Sequence, residues 1–356
     1  RIRQKVWRNI STPFDGVWLF SDASSLFPKQ DSPSLPRPRA ANMKKRMEHY
    51  LSTHGEICKK LLSPKQAQKQ GGIMNKIILN NGMEIPQLGL GVFQIENVSL
   101  CEQVVSEALA LGYRLIDTAA AYHNEEAVGA AIKKSGIPRE EIFITSKIWV
   151  QDFGYEKTKR AVETALQNLD VEYIDLMLLH QQLSDYYGSW RALQEYFHTG
   201  IIKSIGVSNF YADRLADLCA NFETAPAVNQ IECHPFYQRQ YDIEVMNKLG
   251  VAVMVWAPLA EGGHDIWNNM TLKSIADKHH KTVAQVALSF SIPRNVIVIP
   301  QTVHQNRMLE NMSIWDFELD ETDMEKLKTL DTGKTEIIDH LNVEPVQFLN
   351  KHKVHD

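Results

Sequence analysis

Four ionisable side chains of different kinds, Asp117, Tyr122, Lys147 and His180, stand at or just beyond the ends of three consecutive short apolar runs. A carboxylate, a phenol, an ammonium and an imidazole are suited together to moving one proton, provided the chain brings them to one place. Each alone has an ordinary explanation. Asp117 could cap the next helix, Lys147 could open a surface loop, His180 could sit satisfied at a core edge and Tyr122 could simply pack. Four such coincidences in one register are less economical than a shared site. Further polar residues close the next two runs, Ser208 and Asn209, then Asn229, Gln230 and Glu232.

The segments between these residues alternate between runs of strand length and amphipathic runs of helix length. Leu88–Phe93 reads as a first strand, and the helix after it is expected to start at an N-cap Ser99, with Glu102 completing a capping box and Gly112 ending it. Strands then follow over Arg114–Thr118, Ile142–Ser146, Ile174–Leu179, Ser204–Val207, Val228–Glu232, Ala252–Trp256 and Val296–Ile299. Their helices are expected over Asn124–Lys134, Tyr155–Leu169, Tyr186–His198, Ala212–Asn221, Asp242–Leu249, Leu272–His279 with Val283–Phe290, and Gln305–Glu310, with a last helix over Glu321–Leu330. Ahead of them, Lys76–Pro86 reads as a β-hairpin with an Asn81-Gly82 type I′ turn. Short apolar strands joined by helices are parallel and buried on both faces. Eight such units favour an α/β fold, a (β/α)8 barrel closed at the bottom by the hairpin, over a doubly wound sheet. In such a barrel all strand C-termini open to one mouth, where these polar residues would meet.

The 356 residues are 44% apolar and 23% charged, which excludes a wholly disordered, collagen-like or disulfide-scaffold chain. The net charge of -5 is uneven: residues 1–73 carry 14 Lys and Arg against 5 Asp and Glu, and the remainder is acidic. An acidic body argues against nucleic acid as a partner, and no apolar run approaches the roughly 20 residues of a membrane span. Residues 1–73, rich in Pro and Ser, are expected to be a basic segment without lasting structure, apart from a basic helix over 42–62, and to be a tag, a translated leader or a real extension. Met74 is the expected start of the functional domain, 74–356. Cys58, Cys101, Cys219 and Cys233 are too scattered for a disulfide framework or a zinc site, so no metal and a reducing, cytoplasmic setting are expected.

Longer motifs carry a resemblance. Gly112–Gly129 with Asp117-Thr118-Ala119-Ala120-Ala121-Tyr122, Thr145-Ser146-Lys147, Leu178-Leu179-His180, Gly206–Phe210, Asn229–Pro235, and Ile299-Pro300 with Arg307, Glu310 and Asn311 resemble, in order, the signatures of the aldo-keto reductases. The bacterial members that reduce small dicarbonyls and sugar-derived ketones are the most similar. The resemblance implies a monomer that reduces an aldehyde or ketone with NADPH. Tyr122 would then be the general acid, Lys147 the charge that lowers its pKa, Asp117 the partner of Lys147 and His180 the group orienting the carbonyl. It also implies that Ser208, Asn209 and Gln230 bind the nicotinamide carboxamide and that Trp256 stacks on its ring. Pro258, Leu259, Gln301, Thr302, Arg307, Glu310 and Asn311 would hold the remainder, and Phe93, Trp149 and His180 would line the substrate.

Two departures qualify these expectations. Gln301 stands where the family often has Lys, so NADPH remains expected but with reduced discrimination against NADH. Gln181-Gln182 replace a common Trp-Pro after the histidine, which makes the substrate wall more polar. Neither Gly89–Gln94 nor Lys328–Thr335 completes a dinucleotide or phosphate-loop fingerprint. Two other functions fit a barrel with such a lysine: a class I aldolase-like lyase forming a Schiff base on Lys147, and a non-catalytic cofactor-binding subunit.

Overall fold

A computed structural model describes residues 75–335 and 337–356. The described residues belong to one compact unit, Gly72–Asp356. The basic extension and the helix expected over 42–62 lie outside the described residues.

The first elements are two short strands, β1 (Lys76–Ile78) and β2 (Glu84–Pro86), paired antiparallel with Ile77 opposite Ile85. Their connection departs from the expected type I′ turn. Gly82 donates its N–H to Leu79 O and has φ 87°, while Asn80 and Asn81 keep negative φ. A turn followed by one left-handed residue is the three-residue hairpin loop, and it needs glycine only at that last position. Asn80 and Asn81 are thereby freed to tie the tip down. Asn80 Nδ2 donates to Pro226 O at 2.9 Å and Asn81 Nδ2 to Ser204 Oγ at 2.8 Å, both at the entries of barrel strands.

Eight parallel strands follow: β3 (Leu90–Gly91), β4 (Leu115–Asp117), β5 (Phe143–Ile148), β6 (Leu176–Leu179), β7 (Ile205–Ser208), β8 (Val228–Glu232), β9 (Ala252–Trp256) and β10 (Val296–Val298). Each pairs with its sequence neighbour from β3 to β10. The sheet closes where Leu88 bridges Val298, with Gly89 N–H donating to Val298 O and Val298 N–H to Gln87 O, both at 2.9 Å. The result is a (β/α)8 barrel. Its helices are α1 (Val98–Leu111), α2 (Glu125–Ser135), α3 (Tyr155–Leu169), α4 (Tyr186–Thr199), α5 (Ala212–Asn221), α6 (Gln240–Leu249), α7 (Met270–His279), α8 (Val283–Ser289) and α9 (Gln305–Met312), followed by α10 (Glu321–Lys328) and α11 (Val343–Lys351).

Side chains alternate along each strand. Leu115, Phe143, Leu176, Leu178, Val228, Met254 and Ile297 fill the interior and meet Ile77, Leu79 and Ile85 of the hairpin, which plugs the lower end. Ile116, Ile144, Met177, Leu179, Val207 and Val253 face outward into the layer beneath the helices.

Two local expectations are corrected. Helix α1 is capped by Asn97, whose side chain accepts from the Leu100 N–H, so Ser99 lies inside the helix and no Glu102 capping box forms. Asn and Ser cap about equally well, so residue type alone did not choose between them. Glu321–Lys328 is not the last helix, because α11 follows it. Pro345 lies in the first turn of α11, where a missing N–H costs nothing.

Candidate active site

The strand phase that fills the interior with Leu and Met also determines which polar residues face the mouth. Asp117 lies two residues beyond Leu115, His180 two beyond Leu178, Gln230 two beyond Val228 and Trp256 two beyond Met254, each inward like its predecessor. Lys147 has the phase of Phe143, and Ser208 that of Gly206. Gly206 itself leaves no room for a side chain: a Cβ there would stand 2.5 Å from Val228 O and 2.7 Å from Leu178 Cδ2. Tyr122 reaches the same place from a short 3-10 turn, Ala120–Tyr122, just after β4.

The four sequence candidates converge. Lys147 Nζ donates to Asp117 Oδ1 at 2.5 Å, to the Thr118 carbonyl at 2.9 Å and to Tyr122 Oη at 3.2 Å. Gln230 Nε2 donates to the second Asp117 oxygen at 2.7 Å. The His180 ring lies edge-on to Tyr122, with centroids 5.8 Å apart, and edge-on to Trp149 at 5.1 Å. Phe93 leans on Tyr122 at 5.0 Å. Asn209, held at φ 61°, links three groups: its Nδ2 donates to His180 O at 3.0 Å and to Ser208 Oγ at 3.2 Å, and its Oδ1 accepts from Trp256 Nε1 at 2.9 Å.

Burial sets the protonation states. The expectation that Lys147 brings the Tyr122 pKa below its ordinary value holds only as an opposing influence. Burial pushes the phenol up, Lys147 pulls it down and Asp117 pushes it up again, with a net rise. Tyr122 therefore keeps its proton at neutral pH, as an acid must, beside a cation that favours the phenolate when the proton leaves. Burial lowers Lys147, but Asp117 and Tyr122 more than offset this, and the ammonium is held above its usual value. A charged amine has no lone pair for carbonyl attack, so this arrangement does not suit a Schiff-base lysine. Burial also raises the Asp117 carboxyl against the opposing effects of Lys147 and Gln230. His180 is held well below its usual value by burial, then by the charge of Lys147 and by His340, so its ring is neutral with one N–H to donate.

These residues form one end of a cavity of about 980 Å³. Phe93, Trp149, Pro258, Leu259, Gln301, Thr302, Arg307, Glu310 and Asn311 also line it, as do Ser208, Asn209, Gln230 and Trp256, while Lys147 stands behind the wall. All the sequence candidates thus fall in one site. Sequence reading missed the contribution of the C-terminal segment. Phe348, Leu349 and His352 of α11 and its exit also line the cavity, and Trp149 Nε1 donates to the His352 carbonyl at 2.8 Å. The apolar spacing of Val343, Val346 and Leu349 was the available signal. Gln181, Glu261, Trp267 and Ile337 are also among the lining residues. Among the described residues no group of three His, Cys, Asp or Glu side chains is arranged to hold a metal ion.

Comparison with known proteins agrees with this geometry. Residues 87–332 match the model of the aldo/keto reductase family. The chain is 43% identical over 259 residues to the glyoxal reductase of Bacillus subtilis, covering 72% of this chain and 93% of the relative. It is 38% identical over 276 residues to the methylglyoxal reductase of Escherichia coli, covering 76% and 97%. An aldo/keto reductase crystal structure from Brucella melitensis superposes with a TM-score of 0.70 at 42% identity, over 73% of this chain and all of that one. A Bombyx mori aldo-keto reductase in complex with NADP does so with a TM-score of 0.72 at 30% identity, over 76% of this chain and 96% of that one. The chain belongs to the aldo/keto reductase family.

Proposed function

We propose that this protein reduces small α-dicarbonyl compounds to hydroxycarbonyls with NADPH, taking the proton from Tyr122. The observation that carries the reading is the buried chain Gln230–Asp117–Lys147–Tyr122, which ends at a protonated phenol on the cavity wall. The names of the relatives, glyoxal and methylglyoxal reductases, support the substrate class.

The cavity residues fit a dinucleotide. Arg307, Gln301 and Asn311 line its far end, and their side chains form no hydrogen bond or ion pair within the described residues, so these polar groups are available to a phosphate and an adenosine. Gln230 commits its Nε2 to Asp117 and retains Oε1 as an acceptor for a carboxamide. Trp256, fixed by Asn209, offers an indole face to a flat ring. A bound nicotinamide would supply the hydride for the carbonyl carbon.

The remaining roles belong to this chain's own side chains. The neutral His180 donates a hydrogen bond to the carbonyl oxygen and orients it toward Tyr122. Tyr122 gives its proton to that oxygen as negative charge develops there, and Lys147 stabilises the phenolate left behind. Asp117 keeps Lys147 charged and aimed. Phe93, Trp149 and the C-terminal residues exclude water from the reacting carbon. The described cysteines, Cys101, Cys219 and Cys233, are free thiols, which suits a reducing cytoplasm. No helix among the described residues is long and apolar enough to cross a membrane.

The test is consumption of NADPH, followed by absorbance, with methylglyoxal as substrate. The reading expects turnover that saturates with both. Cofactor binding without turnover on methylglyoxal, glyoxal or simple aldehydes would contradict it and favour a non-catalytic binding role.

A further inference from the structure

Gln181, like His180 beside it at Nδ1, holds a buried polar side-chain atom without a partner among the described residues. On its N-terminal side, His180 N–H donates to Ile148 O at 3.0 Å and His180 O accepts from Asn209 at 3.0 Å. On its C-terminal side, Gln182 Oε1 accepts from the Tyr211 N–H at 2.9 Å, at the start of α5. The chain is thus anchored on both sides, through the His180 backbone and the Gln182 side chain, and Gln181 is only 4% exposed. Its side-chain amide nevertheless forms no hydrogen bond among the described residues, and Oε1 is fully enclosed without a partner there. Buried amides nearly always find partners. The residue lines the same cavity as His180 and Tyr122, and the aromatic walls there, Trp149 and Phe93, have no oxygen or nitrogen facing the reacting groups to satisfy it.

We propose that the Gln181 amide binds the oxygen on the carbon next to the reacting carbonyl, so that the enzyme selects α-oxygenated carbonyl compounds over plain aldehydes and ketones. This assignment rests on the reductase reading above and refines its substrate class. An amide carries a donor and an acceptor. Its N–H, on the nitrogen that is not enclosed, donates to a second carbonyl oxygen or to a hydroxyl oxygen alike, so α-dicarbonyls and α-hydroxycarbonyls are both accepted. A substrate with only carbon at that position leaves the amide unsatisfied in the closed complex, and the site discriminates against it. Gln181 is a specificity-determining residue here, and the chemistry remains with Tyr122.

The experiment compares wild type with Gln181→Met, which keeps the length of the side chain and removes its hydrogen bonding. kcat/KM is measured for 2,3-butanedione, hydroxyacetone and butanal, each as the ratio of variant to wild type, so that intrinsic reactivity cancels. The expected result is a loss of about tenfold for the two oxygenated substrates and a change within about twofold for butanal. The dissociation constant of NADPH, read by fluorescence, should not move. Gln181→Asn, a smaller change that shortens the reach of the amide, should give the same ordering. Equal losses on all three substrates, or no loss on 2,3-butanedione, would overturn the assignment and leave the reductase reading intact. Failure of the wild type on all three would overturn both.

Discussion

At the residue scale the site is a problem of charge. Lys147 is fully enclosed, and a buried ammonium is tolerated only with a counter-ion and satisfied donors. Asp117, the Thr118 carbonyl and Tyr122 supply these, and Gln230 satisfies the other Asp117 oxygen. Such a network has one arrangement, which fixes the phenol where a carbonyl oxygen can reach it. The four participants were legible in the sequence because their types are uncommon at the ends of apolar runs. The sign of the Tyr122 shift was not, because burial outweighs the nearby cation and burial cannot be read from residue type. At the far end, Gln301 is exposed and neutral and lines the same cavity as Arg307. Adding a charge there should favour the cofactor that carries an extra phosphate. Gln301→Lys is expected to lower the KM for NADPH severalfold with little change for NADH, since a charge-assisted contact is about twice as strong as a neutral one. Equal gains for both cofactors, measured as kcat/KM, would refute this view of Gln301.

At the element scale, the alternation of apolar and polar positions along each strand does most of the positioning. Strands such as Val228–Glu232 and Ala252–Trp256, and the helix Ala212–Asn221, have the expected bounds, because their composition switches abruptly at both ends. Elements that depend on turn and cap chemistry were less legible. The hairpin loop uses its two asparagines to bond distant loops rather than to adopt positive φ, and α1 begins at Asn97 rather than Ser99. Helix α11 was not anticipated because its fixing contacts, such as that of Trp149 with the His352 carbonyl, join residues far apart in sequence. The close approach at Gly206 gives a direct check on how tightly the barrel holds the site. Gly206→Ala must displace the Val228 carbonyl or Leu178, and overpacking of this kind costs about 1–3 kcal/mol. Chemical denaturation should show that loss. A neutral effect on stability would mean that β7 and β8 are looser than the described packing.

At the scale of the whole molecule, the barrel buries titratable groups that make its stability depend on pH. His340 is 7% exposed, its Nε2 has no partner, and its ring is edge-on to Tyr211 at 6.3 Å. Burial, with the charge of Arg239 adding and Glu232 and Asp339 opposing, lowers its pKa to about 4. An unfolded histidine titrates near 6.5. Between these values the unfolded chain binds more protons than the folded one, so this residue makes stability fall as pH drops from about 6.5 toward 4. Asp117, Glu125 and Asp175, whose carboxyls burial raises, act with the opposite sign, so a variant is needed to isolate the histidine. His340→Leu should lose less Tm than wild type between pH 7 and pH 4.5. Parallel losses would show that His340 is not the group responsible.

The proposed proton source of carbonyl reduction is the Tyr122 hydroxyl, poised by Lys147. Its most direct test is kcat/KM for methylglyoxal in Tyr122→Phe, alongside the NADPH dissociation constant of the same protein. Removal of a positioned acid should lower kcat/KM by about 10²-fold or more and leave NADPH binding unchanged. A Tyr122→Phe enzyme that reduces methylglyoxal at near the wild-type rate would contradict the account.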